Sequence, residues 1–147
     1  MEADSMASQS PPRHLWVVGT LAVLWNAVGA FDYLMTATRN ASYMSQFTPG
    51  QLDFFYGFPT WVVAFWALAV WGGVTGAILL LLRRRVATQV FLGSLIAMTV
   101  TSIHNYLFSN GLEVSGPAGL AFSGLIFLVA IALWLYARAM TRKGVLA

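Results

Sequence analysis

The chain has 147 residues, of which 59% are hydrophobic and only 9% are charged. Soluble domains carry roughly 25% charged residues, so this chain has too few charges to cover a water-exposed surface of ordinary composition. It contains no cysteine, which excludes disulfides, thiolate zinc sites and iron–sulfur clusters. The basic residues flank apolar stretches, as membrane topology signals do, so we expect a lipid bilayer and not a nucleic acid as the partner.

Four stretches are long and apolar enough to cross a bilayer, whose hydrocarbon core of about 30 Å needs about 20 helical residues. They run from about 15 to 35, 60 to 82, 86 to 108 and 118 to 137. Lipid offers the backbone no hydrogen bonds, so each stretch is expected to be a helix. The sequence therefore predicts an all-α integral membrane protein, built as an antiparallel four-helix transmembrane bundle over residues 13–143. Residues 1–12, rich in Ser, Pro and Ala, are predicted to be a disordered tail.

The distribution of Lys and Arg predicts the orientation of the bundle. Cations are expected to accumulate on the cytoplasmic side of a membrane protein. Seven of the eight lie on one side of the predicted spans and only Arg39 lies on the other; the seven are Arg13, Arg83, Arg84, Arg85, Arg138, Arg142 and Lys143. Both ends, including a short C-terminus at 144–147, are thus expected in the cytoplasm of a bacterium, with the protein in its inner membrane.

The first span has an alternative interpretation as a secretory signal peptide. Arg13 and His14 precede the apolar run, and the small residues at 27–30 resemble a cleavage site. The run is long and the segment before it is acidic, with Glu2 and Asp4, which favours a retained transmembrane helix.

A short outer helix is predicted at about 49–57. Thr48 can cap it, Pro49 suits its first position, and Gln51 stands where a capping box needs it. The residues that follow are too apolar for an exposed loop, so this helix is expected to lie in the outer membrane interface or over the bundle.

Small residues in the spans predict close helix packing. Gly19, Ala22, Asn26, Gly29 and Tyr33 recur at spacings of three and four, which places them on one helix face. In mid-membrane the Asn26 amide is expected to make an interhelical hydrogen bond or to contact a substrate.

A GxxxG motif stands in the second span, formed by Gly72 and Gly76. It predicts a close contact either with another span of the chain or with a second copy, which would make the protein a homo-oligomer. Gly93 of the third span is expected to pack in a similar way.

The third span is the most polar, with Thr101, His104 and Asn105 on one side. Asp32 and His104 each lie eighteen residues beyond the start of an outward-running apolar stretch, so both are expected about 27 Å above the inner boundary. They could meet there and bind a proton, a cation or a solute. Alternatively, each reaches interfacial water or caps a helix end.

The two halves of the chain show one local similarity. Residues 32–36 read DYLMT and residues 105–109 read NYLFS, each ending an outward-running span. Duplication of a two-helix hairpin would explain the match, and chance would also explain a match of five residues.

Enzymatic chemistry is not predicted. The sequence has no nucleophile elbow, phosphate-binding loop or metal-ligand cluster. Its two histidines, His14 and His104, lie at opposite membrane faces, so one subunit cannot clamp a haem between them. We expect no catalytic residue, no metal and no cofactor.

Several runs of this sequence resemble a known family. They are HLWVVG at 14–19, LWNA at 24–27, FDYLMT at 31–36, VWGG at 70–73, the stretch 79–85, YARAM at 136–140 and KGVL at 143–146. Together they resemble a family of small, mostly uncharacterised four-span inner-membrane proteins of proteobacteria, some loosely labelled "sugar transporter". The resemblance implies a four-helix fold and the label implies carriage of a small solute, but it transfers no site residue.

These observations leave two functions open. The first is a non-enzymatic inner-membrane accessory or assembly component that binds another membrane protein. The second is a small-solute, sugar-like transporter, which would need two copies because four spans make a thin bundle.

Overall fold

The computed structural model describes residues 10–147, which are 81% helical and contain no strand. Residues 1–9, most of the predicted tail, lie outside the described residues, and residues 10–12 are non-helical. The helices of the described part are α1 (Arg13–Ala37), α2 (Ala41–Met44), α3 (Pro49–Tyr56), α4 (Thr60–Leu81), α5 (Ala87–Leu107) and α6 (Gly111–Arg142).

Four of these helices are long and apolar enough to cross a membrane, which confirms the four predicted helical stretches. They are α1, α4, α5 and α6, with 25, 22, 21 and 32 residues. The ends of the first three lie within two residues of the predicted ends. A polypeptide with four such helices is a multi-pass membrane protein by length and composition.

Helix α6 is longer at both ends than the sequence predicted. It begins at Gly111, where a span had been expected from about 118, and it ends at Arg142. Gly116 interrupts it with φ 70° and ψ −176°, a conformation open to glycine, and Pro117 then starts the long second segment. The predicted start at about 118 thus lies directly after a kink, and an extra helical segment at 111–115 precedes it.

Helices α4 and α5 pack closely through glycines of α4. A Cβ atom on Gly76 would lie 2.7 Å from the Phe91 ring, and one on Gly72 would lie 3.1 Å from the Cβ of Ser94. The Ser94 hydroxyl donates a hydrogen bond of 2.5 Å to the carbonyl oxygen of Ala69. The contacts join later residues of α5 to earlier residues of α4, so α5 runs back along α4. The GxxxG motif therefore serves a contact within the chain.

Helix α1 packs on another face of α4. A Cβ on Gly19 would lie 2.4 Å from the Leu81 side chain, and Tyr33 meets the Trp66 ring with centroids 4.8 Å apart. A Cβ on Gly29 would lie 3.9 Å from the Val70 side chain, an ordinary van der Waals distance. The predicted face of small residues on α1 is thus the face that meets α4.

Three helices end in the same way. One residue follows the C-cap of α1, α4 and α6 with a positive φ. The next residue then donates its N–H back to the carbonyl of the third-last residue of the helix. The residues with a positive φ are Arg39, Arg83 and Gly144, with φ of 51°, 58° and 75°. This arrangement is a Schellman motif, and it turns the chain sharply away from each helix.

The residues after the α6 motif fold back onto the protein. Val145 and Leu146 are buried in the core beside Leu15, Leu80 and Ala137. Beyond them Ala147 pairs with the α4–α5 turn: its N–H donates to Arg83, and its carbonyl accepts from Arg85, at 2.9 and 3.1 Å. The sequence predicted a short C-terminus here without this docking.

We predict that Gly76→Val lowers the midpoint of thermal unfolding in detergent micelles or nanodiscs. The added methyl groups must displace the Phe91 ring, which corresponds to a loss of about 1–3 kcal/mol. Gly93 was expected from the sequence to pack closely, but a Cβ there meets no atom within 4 Å, so Gly93→Val is the matched control. Equal midpoints for the two variants would contradict the close α4–α5 contact.

We predict that Leu146→Ala destabilises the protein by about 2 kcal/mol through the cavity left beside Leu15 and Leu80. Leu128→Ala removes the same atoms from a side chain that is 66% exposed and serves as the control. Thermal unfolding of both variants checks this. If Leu146→Ala matched wild type, the C-terminal residues would not be docked.

Candidate functional site

The candidate polar residues of the spans fall into three separate places. Asn26 lies between α1 and α4, Asp32 lies near the end of α1, and Thr101, His104 and Asn105 lie at the end of α5. The seven-cation end, here called the Arg-rich end, is opposite to Asp32 and His104. Arg83, Arg84 and Arg85 lie at the α4–α5 turn of that end.

Asn26 is used in helix packing. Its amide nitrogen donates to the carbonyl of Ala22, one turn earlier, at 2.8 Å. Its amide oxygen lies against α4, since a Cβ on Gly73 would be only 2.1 Å away. The amide fills the space left by that glycine. The donor is satisfied within α1, so the contact with α4 is one of shape and the predicted interhelical hydrogen bond is not among those formed.

Asp32 is bound by the loop that follows α1. The hydroxyl of Tyr43, in α2, donates a short hydrogen bond to Oδ1 of Asp32. Asn40 caps α2 by accepting the N–H of Tyr43 at 3.0 Å, and the Phe31 ring meets the Tyr43 ring edge-on at 5.7 Å. The sequence analysis predicted no helix at Ala41–Met44 and gave Tyr43 no role.

This environment raises the pKa of the Tyr43 hydroxyl. Burial, the hydrogen bond to Asp32 and the charge of that carboxylate together raise its pKa from 10.0 to about 12. All three causes favour the neutral phenol, which can donate to the carboxylate. The contact therefore contributes stability that is present below pH 10 and is lost as the pH rises through about 12.

His104 lies among aromatic rings. Its Nδ1 shares a 3.3 Å hydrogen bond with the amide oxygen of Asn105, and because that oxygen accepts, the ring nitrogen donates. The Trp61 and Phe58 rings stand edge-on to it, with centroids at 5.4 and 6.3 Å. The structure thus gives Asp32 and His104 different partners, and their predicted pairing is not formed in it.

Thr101 is buried one turn below His104, and its hydroxyl donates to the Met98 carbonyl of its own helix at 2.9 Å. Of the five candidate polar residues, only His104 and Asn105 are hydrogen-bonded to each other.

An aromatic cluster surrounds His104 and joins the loop to the long helices. Phe58 is its centre, with ring centroids 5.0 Å from Phe54 and 6.0 Å from Trp66. Further members include Tyr33, Phe47, Phe55 and Trp61. Sequence reasoning recognised the apolar loop but not this cluster; the run of aromatic residues at 54–58 was the signal that could have located it.

Helix α3 is held in place from both ends. The predicted capping box is confirmed: the Thr48 hydroxyl accepts from the Gln51 N–H at 3.2 Å, and the Gln51 side chain accepts from the Thr48 N–H at 3.0 Å. Near its other end the Arg39 guanidinium lies over the Tyr56 ring at 4.2 Å, a cation–π contact. Among residues 10–147 no group of three His, Asp or Glu residues stands close enough to hold a metal ion.

Comparison with protein-family models, with curated proteins and with solved structures finds no match to this chain.

We predict that Asp32→Asn lowers the pKa of the Tyr43 hydroxyl from about 12 towards its ordinary value, because the carboxylate charge and the strongest acceptor are lost. The absorbance of tyrosinate during an alkaline titration measures this, with Tyr43→Phe identifying the step that belongs to Tyr43. Asp53→Asn, at an exposed carboxylate of the same loop region, is the control and should leave that step in place. An unchanged late step in Asp32→Asn would exclude the contact.

Proposed function

We propose that this protein is an antiparallel four-helix bundle of the bacterial inner membrane that acts as a non-enzymatic accessory or assembly component. In this arrangement both ends lie in the cytoplasm and α3 lies in the outer interface. The excess of cations at the Arg-rich end supports the orientation. The aromatic residues of α3 and the exposed Trp61 beside it support the interfacial position of α3.

The observation that carries the accessory role is the internal use of polar groups. Within the described part of the chain, no buried side-chain nitrogen or oxygen lacks a hydrogen-bond partner. Asn26, Ser94 and Thr101 each donate to a helix carbonyl. Polar groups in lipid that are satisfied within the protein specify helix packing, whereas a solute pathway needs groups that are free to bind cargo.

The groove between α1 and α6 also supports the accessory role. It encloses about 510 Å³ and is lined by apolar side chains, among them Leu21, Trp25 and Leu133. Apart from the indole N–H of Trp25, the lining side chains offer a sugar no hydrogen-bonding group, while the groove suits an acyl chain or an apolar helix.

Transport of a small solute is the second candidate, in line with the label carried by the resembling family. The observation that favours it is the exposed aromatic surface at the end opposite to the Arg-rich end. Trp61 is 51% exposed there and lies beside His104. Aromatic faces next to polar side chains are a common way to bind a sugar.

Two measurements separate these functions. Purified protein in liposomes is tested for flux of sugars and cations above empty liposomes, with His104→Ala as the variant. In parallel, tagged protein is extracted gently from native membranes and its associated proteins are quantified. The accessory role predicts no flux and one protein at fixed stoichiometry.

Flux that depends on His104 would overturn the accessory role in favour of transport. The Leu128→Ala variant controls for tagging and extraction. The orientation is tested separately with a reporter fused after Ala147, for which a cytoplasmic location is expected. A periplasmic location would contradict the proposed orientation.

A further inference from the structure

The Arg-rich end contains a depression of about 320 Å³ between the α4–α5 turn and the C-terminal residues. It is lined by Leu82, Arg83, Arg84, Gly144, Val145 and Ala147. Two arginines therefore meet three apolar residues, Leu82, Val145 and Ala147, in one small space. This combination of charge and apolar surface is characteristic of a site at a membrane boundary.

The walls of this depression are fixed by hydrogen bonds. Ala147 exchanges backbone hydrogen bonds with both Arg83 and Arg85, and the Arg83 Nε donates to the Val145 carbonyl at 3.1 Å. On each side a Schellman motif sets the direction of the chain. The site is therefore shaped before any ligand binds, which reduces the entropy lost on binding.

The charge around the depression is positive. All seven cations named above stand at this end of the helices, while the acidic residues within 10–147, which are Asp32, Asp53 and Glu113, stand at the other end. Arg84 and Arg85 are exposed and adjacent in the chain, so a bound anion would be attracted by both charges. The planar fork of an arginine matches the oxygens of a phosphate.

The position of the depression identifies the kind of anion. Leu82 is 63% exposed and Val86 is 44% exposed, and both stand at the end of long apolar helices. In a bilayer such side chains face the hydrocarbon, which places the adjoining arginines at the level of the lipid phosphates. A free phosphate ion has the same charge chemistry but gains nothing from these apolar neighbours.

We propose that this depression binds the headgroup phosphate of an anionic phospholipid, such as phosphatidylglycerol, with Arg84 as the main side-chain contact. Leu82 contacts the upper part of an acyl chain, and Arg83 and the backbone of the C-terminal residues hold the shape of the site. The assignment rests on the proposed placement of the Arg-rich end at a membrane surface.

The test is native mass spectrometry of the full chain in detergent, titrated with phosphatidylglycerol or with phosphatidylcholine of the same acyl chains. Phosphatidylglycerol should bind at least about fivefold more tightly, and Arg84→Gln should weaken it by about fivefold, as expected for one arginine at a lipid surface. Arg84→Lys should retain most of the binding because the charge is kept. Arg142→Gln, an equal loss of charge outside the depression, should change it by less than about twofold.

Several results would overturn the proposal. The first is equal affinity for phosphatidylglycerol and phosphatidylcholine. The second is an equal loss of phosphatidylglycerol affinity in Arg84→Gln and Arg142→Gln. The third is inorganic phosphate binding as tightly as phosphatidylglycerol, which would make this a site for a free ion. If Arg84→Gln does not fold, as judged by its thermal midpoint, the wild-type protein provides the test. Its phosphatidylglycerol binding must weaken when salt is raised from about 50 to about 500 mM, and insensitivity to salt would exclude a charge-based site.

These results are separable from the orientation and from the accessory role. A cytoplasmic C-terminal reporter with no preference for phosphatidylglycerol would reject the lipid site alone. A periplasmic reporter with a clear preference would reject the proposed orientation while leaving the site in place.

Discussion

The close approach of α4 and α5 at Gly72 and Gly76 is the contact on which the other contacts of the protein depend. In lipid there is no hydrophobic force between helices, so association relies on van der Waals contact and on hydrogen bonds between them. The missing side chains bring Phe91 and Ser94 within contact distance of the α4 backbone. The bond from Ser94 to Ala69 then adds a polar link, worth about 0.6 kcal/mol on average in membrane proteins.

Helix α4 is shared by its two neighbours, and this explains why its glycines are so numerous. Gly72 and Gly76 face α5, while Gly73 faces Asn26 of α1. Adjacent positions on a helix point about 100° apart, so a Gly72-Gly73 pair opens two faces to close packing at the same level. At the Arg-rich end, Leu146 is buried in the core beside α1 and α4, so the chain that leaves α6 reinforces the same packing.

The two ends of the protein differ in the charged residues that they contain and in the partners of those residues. At one end the half-buried Asp32 accepts a hydrogen bond from the Tyr43 phenol of the loop, and His104 lies among aromatic rings. At the other end the cations crowd together around a depression with no acid nearby in the described chain. At the first end Asp32 is hydrogen-bonded within the chain, while at the second end Arg84 and Arg85 are exposed, and in the proposed membrane placement lipid phosphates would stand beside them.

The sequence by itself determined the number of long helices, their limits to within two residues for three of them, and the capping box of α3, because length, hydropathy and capping are local properties. It also located the face of α1 that packs, since that follows from helical periodicity. Only the tertiary structure decided the partners: Tyr43 for Asp32, Asn105 for His104, and α5 for the GxxxG motif. It alone revealed the docked residues Val145 and Leu146. Such contacts depend on side chains that are distant along the chain and on Schellman turns at Arg39 and Arg83, where residue type gives little indication of a positive φ.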